Sequence, residues 1–85
     1  MKIYELKPTD NRKSFYGKAI IIEKDNGEKI LQSYETKVCK ITSEGEFVRM
    51  WSGYSATTMR HVNSFVQLFN IARGGKSWWN AQPLV

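Results

Sequence analysis

Two side chains of this sequence are of the types that enzymes use for nucleophilic chemistry. Cys39 is the single cysteine and His61 the single histidine of the chain. A thiolate beside an imidazole is a nucleophile–base pair, so these residues suggest a small thiol enzyme or hydrolase as a remote alternative. The structural interpretation makes Cys39 a small strand residue and His61 a hydrogen-bonded residue at the rim of a helix. We favour that interpretation and predict that the protein is not an enzyme.

Metal and phosphate chemistry has less support. A zinc site needs three or four converging protein ligands, and neither Cys39 nor His61 lies in a Cys-x-x-Cys or similar pattern. The run Arg-Gly-Gly-Lys-Ser at 73–77 lacks the leading glycine spacing of a phosphate-binding loop. It also follows a helical pattern instead of opening one. The sequence therefore predicts no metal and no cofactor.

A second set of side chains has the chemistry of nucleic-acid contacts, because amides read base edges and cations hold phosphates. The candidate contacts, for nucleic acid or for a partner protein, are Arg60, Asn63, Gln67, Lys37, Lys40 and Arg49. The net charge is +5, and residues 47–85 contain four cations and no carboxylate. A solvated polar face is the more ordinary interpretation. A nucleic-acid-binding accessory protein is kept as the alternative function, tested by a DNA or RNA shift at low salt.

The helix that carries part of this set is predicted over residues 56–72. Ser55 is suited to cap its first turn, and Gly74 and Gly75 favour a left-handed stop after it. One half of the helical wheel is apolar, formed by Met59, Val62, Phe65, Val66, Leu68, Phe69 and Ala72. The polar strip opposite contains Arg60, Asn63, Ser64, Gln67 and Asn70. The apolar half predicts that the helix packs on a sheet.

The chain before the helix predicts antiparallel strands at 2–6, 15–24, 28–34 continuing to 42, and 46–52. A loop is predicted at 7–14, and turns at Asp25-Asn26-Gly27 and Ser43-Glu44-Gly45. The apolar parity changes between Tyr34 and Val38, which implies a bulge or a corner. Residues 1–85 are therefore predicted to form one α+β domain. It is an antiparallel meander of four to five strands with one helix on one face and a short tryptophan-containing tail turn.

One helix covers only one face of such a sheet, yet the strands carry apolar residues on both faces. The candidates for the second face are the tail with Trp78 and Trp79, the N-terminal loop, or a second copy of the chain. We favour the tail, followed by a homodimer. Trp78 and Trp79 are equally candidate anchors for a protein partner. The leading hypothesis is a small binding module that acts through protein contacts, with a homodimer left open.

The sequence also predicts a cellular setting. The longest apolar run is four residues, at 19–22, which is far shorter than a membrane span. Residues 1–5 lack the apolar stretch of a secretory signal. With Cys39 alone no internal disulfide forms, so we expect a cytoplasmic protein that does not bind membranes.

Three segments resemble a family of small bacterial proteins of unknown function. They are residues 12–19 (Arg-Lys-Ser-Phe-Tyr-Gly-Lys-Ala), 33–38 (Ser-Tyr-Glu-Thr-Lys-Val) and 54–61 (Tyr-Ser-Ala-Thr-Thr-Met-Arg-His). The resemblance extends over nearly the whole chain, and the Ser-Ala-Thr-Thr segment is its most specific part. It implies an intracellular protein of Gram-positive gut bacteria, their phages or their mobile elements. It implies no activity, cofactor or functional residue.

Overall fold

The computed structural model describes residues 1–8, 15, 17–71 and 75–84. Its strands are β1 (Lys2–Glu5), β2 (Ala19–Glu23), β3 (Lys29–Ser33), β4 (Thr36–Ile41) and β5 (Phe47–Arg49), and its helices are α1 (Ala56–Leu68) and α2 (Gly75–Ala81). The strands form one antiparallel sheet in the order β1-β2-β3-β4-β5. This confirms the α+β class and the meander. The predicted loop at 9–14 and the glycine stop at Gly74 lie outside the described residues.

The two turns predicted from glycine are confirmed. Gly27 has a φ of 96° and Gly45 a φ of 89°, a backbone conformation that glycine adopts without steric cost. The third turn, between β3 and β4, was not predicted. Tyr34 enters it with a φ of 56°, in a left-handed conformation that disfavours bulky side chains. The sequence predicted that residues 28–42 continue as one extended segment. This prediction is wrong, because the segment forms a hairpin.

The parity change predicted near Val38 corresponds to a bulge. The register of β3 with β4 shifts between Leu31 and Gln32, where Cys39 and Lys37 are the successive partners and Val38 is skipped. A bulge of this kind turns an extra side chain toward the core. Val38 and Cys39 are accordingly both buried in the same cluster, with exposed fractions of 1% and 0%.

The start of α1 follows the prediction and its end does not. The Ser55 hydroxyl accepts a hydrogen bond from the Thr58 N–H at 3.1 Å, as expected of a cap. The helix ends at Leu68 because Asn70 adopts a φ of 61°. The Ile71 N–H then donates to the Val66 carbonyl at 2.8 Å and the Asn70 N–H to the Gln67 carbonyl at 3.3 Å. This is the Schellman stop, made by asparagine four residues before the predicted glycine.

Burial along α1 also departs from the apolar half of the predicted wheel. Leu68, predicted to be core, is 48% exposed, whereas His61 and Ser64, predicted at the rim and on the polar strip, are 2% and 3% exposed. The helix ends at Leu68 and places that residue at its last, outward turn. Elsewhere on the helix, hydrogen bonds offset the cost of burying polar side chains. The predicted polar strip is therefore not a continuous solvent-exposed face.

The tail forms a second helix, α2, and not a single turn. Trp79 on α2 is fully buried, and its Nε1–H donates to the Gly53 carbonyl at 2.9 Å. It belongs to the same hydrophobic cluster as Phe65 and Val66 of α1 and Phe47 of β5. The prediction that the tail covers the second face is therefore wrong. Both helices pack on one side of the sheet, which we call the helix side.

Candidate binding surface

The strand register assigns each side chain of the sheet to a face, because residues directly opposite each other in neighbouring strands point the same way. Ala19, Ile21, Leu31, Cys39 and Phe47 lie on the helix side, and all five are buried in its cluster. The face opposite the helices is called the second face. One complete row crosses all five strands of this face: Ile3, Ile22, Ile30, Lys40 and Val48.

The second face has an apolar patch, formed by Ile3, Ile20, Ile22, Ile30 and Val48. Among the described residues, the helix-side cluster and the side chains packed against it include none of these five. Ile3 is 63% exposed, whereas Ile30 at the centre of the patch is 3% exposed. A row of isoleucines on neighbouring strands provides its own lateral contacts. The patch is thus preformed, and the part of it that a partner can reach is exposed Ile3 together with half-buried Ile20, Ile22 and Val48.

Polar groups of both signs surround this patch. Lys40 Nζ donates to Glu28 Oε2 at 3.1 Å, and this hydrogen bond holds the pKa of the Glu28 carboxyl below its ordinary value. Glu5 and Gln32 lie in the row next to the isoleucines, and exposed Lys37 continues that row on β4. An apolar centre with a mixed polar rim is the composition of a protein-binding surface.

The predicted cationic and amide contacts are not brought together. Lys37 and Lys40 lie on the second face, whereas Arg60, Asn63 and Gln67 lie on α1 on the helix side. Arg49 lies on the helix side as well: its guanidinium is 5.4 Å from the centre of the Trp79 ring and donates to Asn80 Oδ1 at 3.4 Å. Three of the four cations have intramolecular partners, since Arg60 stacks on Phe15 at 5.1 Å and Lys40 bonds to Glu28.

The tryptophan anchors have different environments. Trp79 has no exposed surface, so it contributes to the core and not to an external contact. Trp78 is half-buried, and its ring centre lies 5.0 Å from that of Phe47. Of the two, Trp78 alone presents surface to a partner, and it does so on the helix side.

The structural interpretation of Cys39 and His61 agrees with the structure except in one point: Cys39 is a strand residue and His61 is hydrogen-bonded, but His61 is buried and not at a rim. Cys39 is fully buried on the helix side, and burial raises the pKa of its thiol far above the ordinary range, so the thiolate needed for nucleophilic attack is disfavoured. His61 Nδ1 lies 2.7 Å from the hydroxyl of Ser33, which is 3.3 Å from that of Thr58. Ser33 and His61 are each 2% exposed. The three residues form a buried polar network that ties α1 to β3.

Protonation of His61 is expected to destabilise the fold. Burial, and secondly the charge of Arg60, lower the pKa of His61 below 6.5, so the unfolded chain binds the proton more readily. Stability is then complete above the unfolded pKa and decreases as the pH falls through the folded pKa, by up to about 1.4 kcal/mol per pH unit. Urea denaturation between pH 7.5 and 5.5 measures this slope. His61→Asn, which removes the titration and keeps a polar group near Ser33, should flatten it, and an unchanged slope would contradict the assignment.

Three further features of the described chain bear on function. A depression of about 500 Å³ is lined by Gly17, Lys18, Tyr34, Glu35 and Thr36, all of them exposed. Residues 1–8, 15, 17–71 and 75–84 contain no group of three His, Cys, Asp or Glu side chains placed to hold a metal ion. Neither described helix is long and apolar enough to cross a membrane. Within the described chain, the second face is the surface with the clearest binding composition.

Comparison with known proteins places most of the fold within one family. The family model described as "Family of unknown function (DUF8033)" matches residues 4–81, from within β1 to the end of α2. The match therefore includes the sheet from the second half of β1 onward, both helices, and the second face apart from Ile3. No curated protein and no solved structure matches the chain.

Proposed function

The chain belongs to this family of unknown function, DUF8033, and we propose that it is a small, non-enzymatic module that binds a protein partner through the second face of its sheet. The observation that carries the proposal is the one-sided packing: α1, α2 and the large aromatic residues lie on the helix side. The five apolar side chains of the second face contribute nothing to that core. Apolar patches with polar rims on small domains mark contact sites.

The rim favours a protein over a polyanion. Glu5 and Glu28 lie among the lysines of the second face, and a surface that binds phosphates excludes carboxylates from its centre. Nucleic-acid binding stays the alternative prediction. Its support is weaker, because its candidate cations lie on two different sides of the sheet. A thiol enzyme has weaker support still, given the buried Cys39 thiol. The bacterial mobile-element origin and a cytoplasmic location also stay predictions.

Site-specific photo-crosslinking in the native host tests the proposal. A benzophenone amino acid at position 37, on the rim of the second face, should give a discrete adduct with a host protein. The same group in place of exposed Glu44, in the turn after β4, is the matched control and should give none. Ile20→Lys should abolish the adduct, because a charge in the patch opposes burial, while circular dichroism remains unchanged. An adduct that persists in Ile20→Lys, or none at position 37, would overturn the proposal.

A further inference from the structure

The two edge strands of the sheet, β1 and β5, differ in whether their outward backbone groups are hydrogen-bonded. At the β5 edge, the Arg49 N–H donates to the Pro83 carbonyl at 2.8 Å, and Arg49 forms a parallel bridge with Leu84. The chain's own tail therefore covers that edge at Arg49 and accepts a hydrogen bond from the outward N–H of that residue. At the other edge, none of the residues that the structure describes pairs with the outer side of β1. An unpaired strand edge is a template for another strand.

The hydrogen-bonding groups of β1 alternate in direction. The Leu6 N–H donates to the Ala19 carbonyl at 2.9 Å, and in an antiparallel ladder every second residue bonds to the same neighbour. Tyr4 and Lys2 are therefore bonded to β2. Ile3 and Glu5 direct their N–H and C=O groups to the outer edge, where the structure places the 63% exposed side chain of Ile3.

We propose that β1 pairs antiparallel with β1 of a second copy, with Ile3 directly opposite the partner's Ile3. In this register the outward groups of Ile3 are complementary to themselves, since each N–H donates to the other carbonyl. The two-fold axis runs perpendicular to the sheet, so the helices of both copies lie on the same side. The row Ile3, Ile22, Ile30 of the second face then continues without a gap into the same row of the partner.

The charges on the two faces of β1 select this register. With Ile3 on the axis, Lys2 lies opposite the partner's Tyr4, whose hydroxyl is hydrogen-bonded to Glu23 within its own chain. The ammonium thereby approaches a carboxylate across the interface. The neighbouring allowed register, with Tyr4 on the axis, would set the Glu5 carboxylate opposite the partner's Ile3. Opposite charges across strands stabilise a pair, whereas a carboxylate set opposite an isoleucine gains no charged partner across the interface.

The tail that pairs with β5 at Arg49 makes a second copy the fitting occupant of the β1 edge. A protein with two free edges would add strands without limit, but a tail lying along one of the two edges of the described sheet restricts pairing to a closed two-fold dimer. The product is a continuous sheet of twice five strands with a single apolar belt on the second face. This inference goes beyond the proposed binding role, because the edge pairing holds whether or not the second face has a partner.

Ile3→Pro tests the pairing with the least disturbance of the fold. Proline removes the outward N–H of Ile3, which β2 does not use, and it is tolerated on an edge strand at such a position. Light scattering after size exclusion, from low micromolar to millimolar concentration, should give twice the chain mass of 9.9 kDa for the natural sequence. Ile3→Pro should give the chain mass throughout. A monomeric mass for the unmodified protein at millimolar concentration would refute the proposal.

Two more variants separate the edge from the face. Ile3→Lys keeps the N–H but opposes two like charges at the axis, so it should also give a monomer if Ile3→Pro fails to fold. Val48→Lys, the same change at the far end of the same row, should leave the dimer intact. Loss of the dimer in Val48→Lys and its retention in Ile3→Lys would show face-to-face association and refute edge pairing. Hydrogen exchange of the Ile3 and Glu5 amides should slow as concentration rises, and concentration-independent exchange would also refute it.

Discussion

Trp79→Ala should lower the free energy of unfolding by about 3–5 kcal/mol, the loss typical of a buried tryptophan. The ring is fully buried, and its centre lies 6.3 Å from that of Phe47. Its removal also deprives the Gly53 carbonyl of the indole N–H that donates to it at 2.9 Å. A domain of this size has a total stability at the low end of about 5–15 kcal/mol. The variant should therefore be largely unfolded at physiological temperature.

Urea denaturation followed by far-ultraviolet circular dichroism measures this loss. Trp78→Ala is the matched control, because the neighbouring tryptophan is half-buried and its truncation should cost about 1–2 kcal/mol. Trp79→Phe separates the volume of the ring from its hydrogen bond, and should retain part of the stability. Equal losses for Trp78→Ala and Trp79→Ala would show that α2 does not dock as described.

Phe65→Ala should cost a similar amount, about 3–5 kcal/mol. Phe65 is fully buried at the middle of the cluster between α1 and the sheet, with the Phe69 ring centre 5.3 Å away. Its truncation opens a cavity where the two layers meet, and the surrounding strands have little freedom to collapse into it. The comparison is again made from the urea midpoints and slopes of the two chains.

Leu68→Ala is the control that tests the orientation of α1. Leu68 is 48% exposed, although the apolar period of the sequence assigned it to the core, and its truncation should cost less than about 1 kcal/mol. If Leu68→Ala lowered the free energy of unfolding as much as Phe65→Ala, α1 would have to be rotated about its axis so that Leu68 faces the core.

The elements of this fold that were predictable have local causes. Asn26 and Gly27 specify a tight turn by their own backbone preferences, and Ser55 caps α1 through a hydroxyl three residues from its partner. The hairpin at Tyr34 was missed because no glycine or asparagine marks it. The end of α1 was placed too late because asparagine replaced glycine in the left-handed position at residue 70.

The candidate surface was predictable only in part. Strand parity indicated that apolar residues would occupy both faces, and it placed Ile20 and Ile22 opposite Ile21. The side on which α2 packs depends on the path of the chain after Ile71, and no periodicity encodes it. Partners such as Ser33 for His61 are separated by 28 residues and carry no pairwise signature. Their contact follows from the position of α1 over β3, a property of the assembled fold.

The position of Trp79 late in the chain has a consequence for the order of folding. Strands that are neighbours in sequence are neighbours in the sheet, so the meander has short loops to close and is expected to form early and fast. The ring contacts of Phe47 with Trp78 and Trp79 cannot form until those residues, more than thirty positions later, have been synthesised. During synthesis, which proceeds from the amino end, part of the helix side thus remains exposed to water until α2 emerges. The core of the helix side is complete only when α2 docks.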